Sequence, residues 1–278
     1  MFAWISYFVT ICLLINCFIY FCMWVPKWEA KIFMILWDTY GLSPFTLSDA
    51  FNTLSSSKDI VRVALSRLVK RGWIIRLKRG KYLAKPLDRI ITSLTKYFKV
   101  TNLIDSMRLK YPIYLYGSVA DLLASQASDI DLLIVADENW ETLEKTFSSM
   151  HVTFVKKRNL MQSMDFNLYL IFKKGIPLTT KVQVPNLSSF KPEKLLETSR
   201  ILFETAKINS LIYEPQVLTA IGFAAKYILY KNGILPPTST VGAIFELAKI
   251  KEEYIKAFKE LETRKLEEIY KRVIKWAV

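Results

Sequence analysis

The sequence is short of the residues on which much enzyme chemistry depends. Its 278 residues hold one histidine, His151, and three cysteines, Cys12, Cys17 and Cys22. The 256 residues after Cys22 contain no cysteine. That excludes a disulfide framework, a thiolate metal site and a cysteine nucleophile there, and it suits a reducing compartment. A lone histidine cannot build a zinc site without cysteine, so His151 reads as a structural or surface residue. No Walker-type glycine-rich loop occurs. With only 8 Gly and 10 Pro, collagen-like and low-complexity classes are excluded as well. What is abundant is apolar: 52% hydrophobic and 14% aromatic residues, too much for a disordered chain. The length accommodates one large or two to three small domains, each able to bury a core.

Charge is unevenly placed. Residues 1–25 carry none, whereas residues 27–110 carry 17 Lys/Arg against 6 Asp/Glu and account for most of the formal +14. Residues 111–187 are near balance, with 7 against 8. The uncharged lead admits two readings. About 20 apolar residues suffice to cross a bilayer as a helix, and Trp4, Tyr7, Tyr20 and Trp24 lie near its ends like an interfacial belt. Lys27 and Lys31 would then place the remainder in the cytoplasm, with the N-terminus outside. Alternatively Met23 is the true start, and the chain is an ordinary soluble protein. The segment fits a cleaved signal peptide less well, since no Lys or Arg precedes it and no small-x-small site follows.

From Lys31 to Tyr40, apolar residues at Ile32, Phe33, Leu36 and Trp37 have helical spacing, closed by Gly41. Thr46 opens a second short helix, and Ser57-Lys58-Asp59 opens a third that runs to Arg71. Trp73–Leu77 and Lys81–Leu83 read as two strands about Lys78-Arg79-Gly80, a hairpin signal. Over residues 27–86 this order of three helices and a basic hairpin resembles a winged helix-turn-helix domain. The resemblance implies that the third helix enters the major groove of double-stranded DNA. Lys58, Arg62, Arg67 and Lys70 would then meet bases or phosphates, and Arg76, Lys78, Arg79 and Lys81 would meet phosphates. A basic surface for protein contacts or for anionic lipid is the alternative.

After an amphipathic helix, Leu87 to Met107, comes a short strand, Ile113–Tyr116, and then Gly117-Ser118. A helical stretch, Val119 to Ala124, leads to Ser128-Asp129-Ile130-Asp131 and an apolar strand to Val135. Alternation along the strand puts Asp129 and Asp131 on one side. Two such carboxylates suit a divalent cation, and Mg²⁺ is commonly held by carboxylates together with substrate phosphates. Gly117 lets backbone approach a phosphate, to which Ser118 can donate. The string Gly-Ser, ten residues, Asp-Ile-Asp-Leu closely resembles the signature of the DNA polymerase β-type nucleotidyltransferase superfamily. That resemblance implies an α/β (α+β) nucleotidyltransferase fold, a mixed sheet with flanking helices, over residues 87–187. It implies a nucleoside triphosphate bound by Gly117 and Ser118 with two Mg²⁺ on Asp129 and Asp131. It also calls for a third carboxylate opening a later strand, which places Asp165 ahead of Phe166–Ile171 as a catalytic and metal-binding group. One feature departs from the pattern. Where small members carry Arg-Gly, this chain has Asp121-Leu122, so a cation for the phosphate would have to come from Lys156, Lys157 or Arg158.

Residues 188–278 are helical by period, over 192–208, 215–232 and 241–277, and form an expected C-terminal helical bundle. Gly222 and Ala224-Ala225 would permit close helix packing. Two functions follow. One is Mg²⁺-dependent transfer of a nucleotide to a protein, RNA or small-molecule hydroxyl by a protein that also binds DNA. The other is a DNA-binding transcriptional regulator or antitoxin-like protein whose nucleotidyltransferase fold is not catalytic. Both pair modules that recur in toxin–antitoxin and abortive-infection proteins.

Overall fold

The computed structural model describes residues 26–160, 164–184, 191–208, 212–261 and 265–277. The apolar segment 1–25, with its two readings, lies outside them. Among the described residues no helix is long and apolar enough to cross a membrane. The chain divides into two compact units, the first ending at Thr95 and the second beginning at Lys96.

The first unit opens with α1 (Lys27–Tyr40), β1 (Phe45–Thr46), α2 (Leu47–Leu54) and α3 (Lys58–Lys70). The hairpin β2 (Ile74–Lys78) and β3 (Lys81–Ala84) follows. Each boundary has a local cause. Gly41, at φ +51°, ends α1 by donating its N–H to Trp37 O. Thr46 starts α2 through a capping box: its hydroxyl accepts from Asp49 N at 3.1 Å while the Asp49 carboxylate accepts from Thr46 N at 2.7 Å. Ser57 caps α3. Gly80, at φ +74°, turns the hairpin. The three strands form an antiparallel sheet in the order β1-β3-β2. Two-residue β1 escapes any periodicity argument. It forms because Phe45, fully buried and stacked on Tyr40 and Tyr82, anchors the chain beside β3. The core is Phe33, Leu36, Ala50, Val61, Leu65, Leu68, Trp73 and Leu83.

In the second unit a mixed four-stranded sheet has the order β6-β5-β4-β7. Its strands are β4 (Ile113–Tyr116), β5 (Asp131–Val135), β6 (His151–Val155) and β7 (Ile176–Pro177). Only β5 and β6 run parallel. The helix α4 (Leu87–Met107) extends into this unit. From it Val100 and Ile104 pack against Ile113, Leu115, Leu132 and Ile134 on one face of the sheet. Tyr114 and Leu133 point to the other face, where Leu168 and Ile171 cover them. Between the strands lie α5 (Gly117–Ala120) and α6 (Trp140–Thr146), and α7 (Phe166–Lys174) precedes β7. The C-terminal helices are α8 (Glu193–Ile208), α9 (Tyr213–Lys231), α10 (Thr240–Glu246), α11 (Ile255–Glu260) and α12 (Leu266–Ala277).

Three expectations are corrected. The strand expected over Met164–Ile171 is the helix α7. It is buried on two sides, by Leu168 and Ile171 toward the sheet and by Phe166 and Leu170 toward Leu195. A helix covered on both sides has no polar stripe and reads as a buried strand. The stretch expected to be helical to Ala124 stops after one turn, with Leu122 in the left-handed region at φ +56°. The long helix expected over 241–277 is interrupted by short turns at Leu247–Lys249 and Glu252–Tyr254. Residues 244–278 contain neither Gly nor Pro, so nothing local marks those breaks. Across them the chain folds back so that Phe258 packs edge-on against Phe245. Gly222 does permit close approach, since a Cβ there would collide with Thr240.

Candidate functional site

In the first unit, α3 turns Val61, Ala64, Leu65 and Leu68 inward. Lys58, Arg62, Ser66, Arg67 and Lys70 are exposed on the other side. On the hairpin Arg76, Lys78 and Arg79 are exposed and Lys81 is half-buried. These are the cations that the sequence assigns to DNA, and they are not equivalent. Arg67 and Arg71 both grip Glu29, at 2.8 and 2.9 Å, and the Glu29 carboxylate is 0% exposed. Burial pushes the Glu29 pKa up, but the bonds from Arg67 and Arg71 outweigh it and hold the carboxyl below its ordinary value. The Arg67 guanidinium also lies over Trp28, 5.3 Å from the ring centroid. Arg67 is therefore a packing residue of α1 and α3 as well as a surface cation. Among the described residues Arg62 pairs with an exposed neighbour, Asp59 at 3.6 Å, a pairing too solvated to hold it. Lys81 acts on Asp49, whose carboxyl is held below its ordinary value mainly by bonds with Thr46 and in smaller part by that lysine.

In the second unit, sheet register sets a row of three residues: Tyr116 opposite Asp131, and Asp131 opposite His151. Gly117 follows at φ +74°, the left-handed region that favours glycine. It has a second reason to be glycine, because a Cβ there would collide with Asp131 Oδ2. His151 Nδ1 lies 3.0 Å from Asp131 Oδ1. Burial pushes the Asp131 carboxyl above the usual carboxylate range, the bond to His151 draws it back, and Asp129 adds repulsion. Asp129 itself is exposed, just ahead of β5. Gly117 thus lies against Asp131, and Asp129 is near enough to act on Asp131.

The remaining expected members have other partners. Asp165 does not open a strand but caps α7, its Oδ1 accepting from Leu168 N at 2.7 Å. The Gly117 N–H donates to Thr238 Oγ1 at 2.9 Å, and Ser118 presents its carbonyl to Leu123 N. Lys156 lies over the Trp140 ring. Among the described residues no three His, Cys, Asp or Glu side chains gather closely enough to hold a metal ion. Among the described residues no third acid joins Asp129 and Asp131, and Asp131 is bonded to His151.

Sequence reasoning missed three groups here. Lys96, on α4, donates to the carbonyls of Ser125, Gln126 and Ser128, and so holds the loop that leads to Asp129. Thr238 and Ser239 close over the Gly-Ser turn, with Ser239 N donating to Asp121 Oδ2 at 2.7 Å. Lys226, only 7% exposed on α9, donates to Thr238 O at 3.0 Å and Asn167 Oδ1 at 3.4 Å. Burial lowers its pKa to about 8 against the opposing pull of Asp121 and Asp165. Asp121 thus acts on a lysine from a distant helix. A lysine within an apolar helix is the signal that could have found it.

Compared with known families, residues 43–85 match the one described as transcriptional regulator, AbiEi antitoxin. The match runs from ahead of β1 to just past β3 and takes in α2 and α3. It fits a toxin–antitoxin or abortive-infection module with a DNA-binding domain. No curated protein matches the chain.

Proposed function

We propose that the protein is a DNA-binding transcriptional regulator of antitoxin type, in which the second unit is a nucleotidyltransferase-like frame that does not catalyse transfer. One observation carries the reading: the exposed cations of α3 and the hairpin lie within the 43–85 segment that matches the antitoxin regulators. In this reading α3 lies in the major groove of double-stranded DNA, with Arg62 the foremost contact and Lys58 and Lys70 at its flanks. Arg76, Lys78 and Arg79 follow the phosphate backbone. The non-catalytic half of the proposal draws on the second unit. The amide best placed to meet a phosphate is bonded to Thr238, Asp131 is bonded to His151, and Asp165 is spent as a helix cap.

The test uses the full chain with duplex DNA, and separately with Mg²⁺ and labelled nucleoside triphosphates. Duplex binding should be present in the native protein, fall at least tenfold in Arg62→Ala with Arg79→Ala, and be indifferent to Asp131→Asn. No label should pass to the protein or to added RNA. Label transfer that Asp129→Asn abolishes would overturn the non-catalytic half in favour of a nucleotidyltransferase. Absence of duplex binding would overturn the regulatory half.

A further inference from the structure

The outward side of α3 carries an apolar pair that its basic surroundings do not explain. Ile60 is 51% and Val63 45% exposed. Three residues apart, they are neighbours on the helix surface. The inward stripe of Val61, Ala64, Leu65 and Leu68 is complete without them. Helix propensity does not account for them either, since β-branched side chains lose rotamer freedom against the preceding turn. Lys58, Asp59, Arg62 and Ser66 are exposed beside the pair, so it is an apolar island on a polar face that carries two cations.

A helix lying in a major groove meets two kinds of surface. The rims are phosphate, which the cations suit. The floor is base edges, and the apolar group displayed there is the 5-methyl of thymine. The N-terminal part of such a helix makes the base contacts, and both residues lie in the first half of α3. We infer that Ile60 and Val63 read thymine methyl groups, so that α3 selects A·T pairs at the positions beneath its N-terminal half. The inference rests on the DNA-binding reading and deepens it by naming what is read. A lipid surface would also attract cations and apolar side chains, but it would have no preference among bases.

The experiment starts by affinity selection with the full chain from a random duplex library. The enriched duplex is then remade with deoxyuridine in place of each thymidine in turn, which removes one methyl and leaves pairing intact. For the native protein, uracil at one or two positions should weaken binding about fourfold per methyl. The double variant Ile60→Ser with Val63→Ser should bind the thymine and uracil duplexes alike, while Arg62→Ala should weaken both and keep the difference between them. The uracil duplexes alter only the DNA, so a folding defect in a variant cannot produce the native protein's discrimination. Equal binding of thymine and uracil duplexes by the native protein would overturn the inference, as would discrimination retained in the double serine variant. Failure to enrich any duplex would instead overturn the DNA-binding reading on which it rests. Binding to phosphatidylserine vesicles without duplex enrichment would reassign the face to a lipid surface.

Discussion

At the scale of single residues, motif reasoning passes over a buried lysine of the second unit. Lys226 is enclosed among Thr238, Asn167 and the charges of Asp121 and Asp165. Its pKa of about 8 in the folded chain lies below the ordinary lysine value of 10.5. Between those two pH values the unfolded chain holds the proton and the folded chain does not, so this group favours folding increasingly as pH rises. Denaturation of the native protein and of Lys226→Met, followed from pH 8 to pH 10, should diverge accordingly. The stability difference should move toward the native protein by up to about 1.4 kcal/mol per pH unit. Parallel curves would mean that the lysine keeps its ordinary affinity for the proton.

At the scale of elements, the clamp between α1 and α3 separates folding from recognition. Glu29 is fully buried while Arg67 and Arg71 are 52% and 35% exposed at their side chains. Removing both arginines strands a buried carboxylate, the costly direction in which to break such a pair. Arg67→Ala with Arg71→Ala should destabilise the first unit by roughly 3 kcal/mol. Glu29→Gln in the same background should recover part of the loss, because it removes the stranded charge. Hydrogen exchange at α1 and α3 amides reads both effects, and unchanged exchange in the double arginine variant would refute the clamp. A loss of DNA binding on Arg67→Ala is thus a folding effect as much as a lost contact, whereas Arg62 is free of that confusion.

The same scale shows what could be read in advance. The first unit was legible because its boundaries are written in local chemistry: Gly41, Thr46 with Asp49, Ser57 and Gly80 each stop or start an element by their own bonds or dihedral. Strands β4 and β5 were legible for the same reason, as short apolar runs marked by a turn glycine and by leading acids. Helix α7 was not. Its two buried faces leave no period, and its cap, Asp165, belongs equally to a strand-opening acid in the sequence pattern. Thr238 and Lys226 were hidden because they lie more than 100 residues from Gly117 and join it only through folding.

At the scale of the whole molecule, the charge excess in residues 27–110 has a measurable consequence. Binding to duplex DNA through phosphate neutralisation falls with salt, with a slope of about −0.9 in log–log form for each phosphate met. Replacing Arg76, Lys78 and Arg79 together by alanine should lower that slope by about 2 to 3, measured by fluorescence anisotropy between low and physiological salt. Lys81, half-buried and acting on Asp49, should contribute less than the other three. A slope unchanged by the triple substitution would place the hairpin away from the backbone.

The bond from the Gly117 amide to Thr238 bears on how such a chain may be dissected. A threonine hydroxyl accepts from this amide, so the turn is complete only when a loop 121 residues further on is present. Cutting the chain between the sheet and its C-terminal helices would bare that amide, and the Asp121 carboxylate beside it. An excised sheet fragment would then offer a bare donor and a bare acceptor that the intact chain keeps bonded, and a ligand found on them would be a product of the excision.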